Sequence, residues 1–512
     1  MDQSSPTQSL RSLCVAVLLG LLATAAVSLL LALRLLPLGY AGQWAWPLRS
    51  TPLPITPGLM LTAMVLFLFA GAFVLDASRV EKIRRAEAYL ALPFLLLACY
   101  LFPLQLVSAE PGGWSRAVLA LCADPTTGYL TEAARIDDLR AWLSDTRRRT
   151  DMRVTPSRVA THPPGPVLFY YWWSKAVQRS PALRGLAERF YSPTRGLRDQ
   201  LLRSAHMVCT AHLKDYHMDA AALSVFLLLA AVPVAMAGAF VLGWAVGGER
   251  LALATAVLAS AIPGLHVFVP SIDATTAAFA TWALALAAWA CKGRSPLLAA
   301  LAGVMWGLGL QWTFGLLALA VPLAALLLWR RCAGATASPR RPKGGTAEDG
   351  DATLGEPQSE AAPSLRAASS AAATGERPGR LSLGLALPLA AGGVLAHLPL
   401  MSLGYNPLSS FLYSMATQRH IMAQRTYAIW VALDAWDFVL FAGPALVLVA
   451  TVAIGNLRRQ PLLAGLLATL ALLLVAGTTR GEVGRIWSFL MPLVAVVAAQ
   501  ALARARELPY IA

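Results

Sequence analysis

The chemistry-bearing residues of this chain fall in a few short stretches. Thr161-His162-Pro163-Pro164-Gly165-Pro166 sets an imidazole against two prolines and a glycine. The prolines cannot continue a helix from upstream, and they hold Thr161 to Pro163 extended, so His162 belongs at a rigid turn. There it donates to a phosphate, shuttles a proton, or simply caps the turn. Arg480-Gly-Glu482-Val-Gly-Arg485 separates two arginines by glycines, so both can close on a phosphate or pyrophosphate, with Glu482 placed to hold one of them. The plain alternative is a basic interfacial anchor beside Trp487. Arg419-His-Ile-Met-Ala-Gln-Arg425-Thr-Tyr427 offers further cationic groups, suited to an anionic head group or to an amphipathic surface helix. Asp273 follows Pro270-Ser-Ile and opens an apolar run, where it serves as a helix N-cap, as a site residue, or as both.

Carboxylates come from a different pattern. Leu130, Ala134, Asp138 and Trp142 recur at intervals of four, with Ile136, Leu139 and Leu143 on a second stripe. This spacing predicts one amphipathic helix over 128–143 carrying Glu132, Asp137 and Asp138. Such a carboxylate is a general base, a metal ligand, or part of a solvated face paired with Arg135 and Arg140. His206, His212 and His217, with Asp215 and Asp219, match no compact metal-binding spacing. The chain has no P-loop, no dinucleotide-binding glycine fingerprint and no nucleophile elbow, so a nucleotide-driven pump or an ordinary hydrolase finds no support.

Composition says which elements must position these groups. The 512 residues are 57% hydrophobic and 13% charged, against about 25% charge in a soluble domain. Apolar runs of roughly 20 residues recur, the pattern of an all-α, polytopic membrane bundle. The net charge of +15 is therefore no nucleic-acid signature; it lies largely in loops beside lipid phosphates. The expected spans are Leu13–Leu33, Pro57–Leu75, Ala88–Val107, Ala220–Val246, Leu251–Val267, Thr275–Cys291, Leu297–Leu310, Phe314–Trp329, Leu381–Leu403, Phe438–Ile454, Leu462–Ala476 and Ile486–Leu502, about twelve in all. The first is read as a retained anchor, because it lacks a small-residue cleavage site.

Lysine and arginine in the short loops set the orientation. Arg79, Lys82, Arg84 and Arg85, then Lys292 and Arg294, then Arg330, Arg331, Arg340, Arg341 and Lys343, then Arg458 and Arg459, then Arg504 and Arg506, all share one side if both termini are cytoplasmic. The alternation closes only if the aromatic segment His162–Val177 lies on the outer surface without crossing. The organisation is then two N-terminal spans (1–87), a core (88–329) with a large external loop (108–219), a disordered cytoplasmic linker (330–380) poor in large apolar residues, and C-terminal spans (381–512) with an external loop (404–437). The outer face collects that large loop, the turn 270–273, the loop 404–437 and the turn 478–485. Cys122 and Cys209 share the large loop, where a disulfide between them is open.

The order of these motifs resembles the GT-C superfamily of membrane glycosyltransferases, which includes protein O-mannosyltransferases and the aminoarabinose transferase of lipid A. His162-Pro163-Pro164 matches the family's Lys/His-Pro-Pro turn in the first large external loop. Asp273 matches its aspartate at the outer turn after the next pair of spans. The closing Arg480-Gly-Glu-Val-Gly-Arg-Ile-Trp487 is similar to that of bacterial members. The resemblance covers roughly Ala88 to Leu502, leaving two additional spans at the N-terminus. It implies a GT-C-like helical fold in the cell membrane and transfer of a hexose or pentose from a polyprenyl-phosphate donor to an acceptor on the outer face. The implied partners are that donor, the bilayer and an acceptor of unspecified kind. The implied base is Asp137 or Asp138, although the family's paired acids stand nearer the first core span, where this chain has only Glu110 and Asp124. His162, Arg480 and Arg485 would hold the phosphate, with Asp273 orienting the sugar, the acceptor or a cation. A divalent metal is the one cofactor left open. A transporter or flippase of a lipid-linked anion would use the same basic mouth, and a non-catalytic membrane scaffold is the third reading.

Overall fold

The structure, a computed structural model, describes residues 6–36, 38–45, 56–75, 85–110, 112–191, 196–334 and 383–504. Arg79, Lys82 and Arg84 of one expected inner loop, most of the expected linker with Arg340, Arg341 and Lys343, and Arg506 lie outside the described residues. Within them the chain is almost wholly helical. The two-stranded hairpin Gly39–Tyr40 with Trp44–Ala45 is the only strand pairing among the described residues. Prolines open many helices, as at Pro57–Leu75, Pro296–Trp312, Pro407–Met422 and Pro461–Ala476. At a first turn their missing amide would have no helical partner anyway.

Five helical stretches are long and apolar enough to cross a bilayer: Ala91–Ala109, Asp215–Ser260, Ala274–Gly293, Gly384–Ser402 and Val483–Ala503. They mark a multi-pass membrane protein. Shorter apolar helices at Leu18–Ala32, Pro57–Leu66, Pro296–Trp312, Phe314–Leu328 and Pro461–Ala476 overlap further expected spans. Asp215–Ser260 is not one straight rod. A Cβ on Gly243 would stand 2.7 Å from Thr255 Oγ1 and 2.9 Å from the Cα of Ala252. Residues nine apart on a straight helix are about 13 Å apart, so the chain reverses at Gly248 (φ 82°, ψ −172°).

The expected span Phe438–Ile454 is not one straight helix. Gly443, at φ 96°, separates Tyr427–Ala442 from a helix opened by Pro444, and the two segments meet at 100°. Pro444 has no amide to continue the upstream ladder and disfavours helical backbone at the residue before it. Across the linker, Pro296–Trp312 packs on Leu383–Ser402 with the two backbones in contact. A side chain at Gly303 would strike the carbonyl of Leu389, and one at Gly392 that of Ala300. Small residues allow such close approach of membrane helices.

The large loop expected on the outer side is itself helical, built of short segments from Gly113–Cys122 to Leu197–Val208. It has a buried apolar interior that includes Leu121, Leu130, Leu143, Val177 and Leu213. The single helix expected over 128–143 is two, Tyr129–Ala134 and Leu139–Ser144. The Asp138 carboxylate accepts the amides of Arg140 and Ala141 and so starts a new helix where the first ends. The aromatic helix Gly165–Arg179 has 15 residues and rises about 22 Å, short of a hydrocarbon core of roughly 30 Å. The loop 404–437 is mostly the helix Pro407–Met422 and the first part of Tyr427–Ala442. Cys122 and Cys209 are free thiols, so the disulfide left open by the sequence is not formed.

Candidate functional site

The short helix Ser157–Ala160 carries Arg158 directly before the Pro-Pro-Gly turn. Its guanidinium reaches Glu482, 324 residues away, at 2.5 Å. Arg485 meets the same Glu482 oxygen at 2.5 Å, and Arg425 approaches the other at 3.4 Å. Glu482 is 7% exposed. One buried carboxylate therefore ties together the helix Ser157–Ala160, the loop 404–437 and the turn 478–485. Arg485 also pairs through Nε with Asp273 Oδ2 at 3.2 Å, which adds the turn 270–273.

Asp273, Arg425 and the turn that carries Glu482 are each held from a second direction. Asp273 precedes the helix Ala274–Gly293 yet makes no side-chain cap. Its Oδ2 accepts instead from Ser271 Oγ at 2.7 Å and from Arg485. Burial pushes its carboxyl above the usual aspartate value. Arg425 lies over the rings of Trp44, at 4.9 Å, and Trp430, at 6.0 Å, and donates to the carbonyl of Arg480. Desolvation lowers its proton affinity. Asp434 Oδ1 accepts the amide of Gly481 at 2.8 Å, fixing the turn that presents Glu482.

His162 stands beside this cluster. Its Nδ1 is 2.8 Å from the carbonyl of Arg158, and its ring meets Tyr129 edge-on at 5.8 Å. Desolvation, with the Arg158 guanidinium nearby, pushes the imidazole down to about 4. It is therefore neutral at pH 7. A neutral imidazole brings a phosphate at most one N–H and no positive charge, so the charge in this cluster comes from the arginines. The turn is seated by Gly165, where any side chain would collide with the carbonyl of Gln311. The adjacent Trp312 meets Phe169 at 5.8 Å and donates from Nε1 to the carbonyl of Ile272 at 3.1 Å. One tryptophan thus sets the distance between the His162 turn and the Asp273 turn.

The other residues expected from the sequence divide differently. Arg480 donates to the carbonyls of Met422 and Arg425 and lies 5.1 Å over the ring of Tyr427. Tyr427 donates to the carbonyl of Val475 at 2.8 Å. Both residues tie the turn 478–485 to its neighbours at the edge of the cluster. Arg419 is exposed and stands apart from the ion pairs of the cluster. Asp137 and Asp138 are exposed as well, Asp138 as a helix cap, and neither reaches the cluster that holds His162, Asp273, Glu482 and Arg485. Glu132 is buried but accepts from Trp142 Nε1 at 2.9 Å and pairs with Arg135 at 3.3 Å. His206 bonds the carbonyl of Leu213 and stacks on His212, and His217 accepts the amide of Lys214. Among the described residues no group of three or more His, Cys, Asp or Glu is placed to hold a metal. Glu482 and Asp273 are each bound by guanidinium, an arrangement that does not suit a divalent cation.

Sequence reasoning missed three contributors. Arg158 looked like one more loop arginine. Gln43 and Trp44 come from the loop after the first helix. Gln43 accepts from the amide of Thr426 and from Trp430 Nε1, at 2.8 and 2.9 Å, and Trp44 covers Arg425. The N-terminal segment that stood apart from the family resemblance therefore builds the wall of the site. No protein-family model, curated protein or solved structure matches this chain.

Proposed function

We propose that the protein transfers a sugar from a polyprenyl-phosphate donor to an acceptor at the outer surface of the cell membrane, in the manner of a GT-C glycosyltransferase. The carrying observation is the convergence of Arg158, Arg425 and Arg485, from three separate segments, on one small buried region beside His162 and Asp273. Around Glu482 the three guanidiniums exceed the carboxylate charge by two, and by one when Asp273 is ionised. Planar guanidinium forks match phosphate oxygens. Cationic donors fixed before the reaction stabilise a leaving phosphate as its charge develops, without reorganising at that moment. A donor carried by the bilayer needs this machinery among loops that pack on membrane helices.

A second reading, passage of a lipid-linked anion across the membrane, has one observation in its favour. The helix pair broken at Gly443 carries Asp434 and Asp437, both buried, and discontinuous helices with buried ionisable groups build transport sites. Proteoliposomes containing the full chain separate the readings. A panel of radiolabelled polyprenyl-phosphate hexoses and pentoses is supplied with membrane extract as the acceptor source. Label moving from the lipid phosphate into a new linkage supports transfer. Donor crossing the bilayer intact, with no new linkage, supports passage and removes the transferase reading.

A further inference from the structure

The transfer reaction needs a group to take the proton of the acceptor hydroxyl, and the carboxylates near the arginines are already engaged. Glu482 is shared by three guanidiniums, and Asp273 is held by Arg485 and Ser271. Asp434 accepts the amide of Gly481. Asp137 and Asp138 stand on the exposed side of the external loop. His162 differs from all of them. Its Nδ1 faces the carbonyl of Arg158 at 2.8 Å, and Thr161 Oγ1 lies 3.2 Å from the same nitrogen. A carbonyl oxygen only accepts, so in the neutral ring Nδ1 carries the hydrogen and Nε2 carries the lone pair. Thr161 directs its own hydroxyl toward the carbonyls of Ser157 and Arg158, leaving its oxygen free to share the Nδ1 hydrogen. Nε2 has no hydrogen-bond partner among the described residues, and the ring is half-buried rather than sealed.

From this geometry we infer that His162 Nε2 is the proton acceptor of the sugar transfer, in place of Asp137 or Asp138; the inference rests on the transferase reading above. Nε2 takes the proton of the acceptor hydroxyl as that oxygen attacks the anomeric carbon. The bond from the anomeric carbon to the lipid-phosphate oxygen breaks, and its electron pair leaves with the phosphate. The polyprenyl phosphate departs on the guanidiniums, and the imidazolium returns its proton to solvent. The Arg158 carbonyl orients the ring throughout and stabilises the Nδ1–H as positive charge develops, the part a hydrogen-bonded second group plays for catalytic histidines generally. Three groups face the ring or act on it electrostatically: Arg158 and Glu482, with Tyr129 edge-on to it. Before the donor binds, Arg158 and desolvation keep the imidazole unprotonated. A phosphate anion arriving on the arginines offsets the Arg158 charge and raises the ring's proton affinity at the step that needs it.

The test uses the full-length protein in nanodiscs with the donor panel and extract described above, comparing wild type, His162→Ala, His162→Gln and the paired Asp137→Asn with Asp138→Asn. Loss of a general base typically costs about 10²–10⁴-fold in rate, so His162→Ala should fall by that factor while donor binding, read by retention of labelled lipid, stays near wild type. Free imidazole should restore part of the rate to His162→Ala and none to His162→Gln, whose side chain fills the space; a purely structural role for His162 gives no such rescue. The acid limb of the wild-type pH–rate profile should vanish in the rescued variant and be replaced by one that tracks free imidazole. Wild-type transfer that persists undiminished in His162→Ala, or that is lost in the paired aspartate variant instead, overturns this assignment and leaves the transferase reading standing. No transfer by wild type from any donor overturns both.

Discussion

Glu482→Gln removes the one charge that three guanidiniums share while keeping nearly the same volume. Glu482 contacts Arg158 and Arg485 at 2.5 Å and Arg425 at 3.4 Å, with 10% of its side chain exposed. Breaking a buried ion pair from one side costs about 3–5 kcal/mol, because the partner charge stays desolvated and unpaired. Here Arg485 keeps Asp273 at 3.2 Å, so the uncompensated charge falls on Arg158 and Arg425. That places the expected loss near the lower end, about 3 kcal/mol. The assay is thermal unfolding of the full chain in nanodiscs, followed by tryptophan fluorescence, with and without added inorganic phosphate. The variant should unfold several degrees below wild type. Phosphate should then stabilise it more than it stabilises wild type, since an anion can take the vacated place among the guanidiniums; at ten times its dissociation constant the gain is about 1.4 kcal/mol. A variant that melts with wild type, or that gains no more than wild type from phosphate, refutes the idea that Glu482 holds an anion site together.

Three further outcomes follow from the same geometry. His162, held at about 4 instead of its ordinary 6.5, binds fewer protons folded than unfolded between those values, so stability should rise with pH across that window and be lost on acidification. The amount is up to about 3 kcal/mol, and unfolding temperatures taken from pH 4 to pH 7 should show a steeper slope in wild type than in His162→Gln. Gly165→Ala drives a methyl group into the carbonyl of Gln311, a backbone atom that cannot rotate away. Overpacking of this kind costs about 1–3 kcal/mol, and both a lower unfolding temperature and slower transfer should report it. Asp137→Asn with Asp138→Asn should leave stability within about 0.5 kcal/mol, because asparagine caps a helix as well as aspartate, and should leave transfer intact; a hundredfold drop in rate would return the base to the external-loop helix.

Much of the site could be read from the sequence because it is encoded locally. The His162-Pro-Pro-Gly turn, Asp273 at a short turn between apolar runs, and Arg480 to Arg485 with their glycines each stand out against apolar surroundings. The multi-pass helical character was legible for the same reason: five of its helical stretches are apolar runs of membrane length among the described residues. What escaped was non-local. Arg158 gains its meaning only from a carboxylate 324 residues away, and Gln43 and Trp44 only from helices more than 380 residues on. Asp138 misled for a physical reason. A four-residue spacing is the same whether an aspartate rides on a helix face or begins a new helix, and only the backbone amides of Arg140 and Ala141 separate the two. Gly443 hid likewise, since an apolar run reads alike through a 100° bend.

On the transferase reading proposed above, the use of arginine at all three corners would let one cluster act both as a structural tie and as a phosphate site. Each guanidinium has five N–H donors in a fixed plane. Arg158 gives one of them to Glu482, and Arg485 divides two groups between Glu482 and Asp273. Donors therefore remain on the same planes after the carboxylates are satisfied, aimed by bonds already made. An ammonium in the same place would be a point charge, without a rigid plane to keep its unused donors aimed. The Trp44 and Trp430 rings beside Arg425 add to this by shielding its charge from water without consuming its hydrogens. The net effect is a set of cations whose positions are fixed by Glu482, Asp273 and two indole rings before any phosphate arrives. That is the condition under which such donors stabilise a leaving group without first having to be assembled around it.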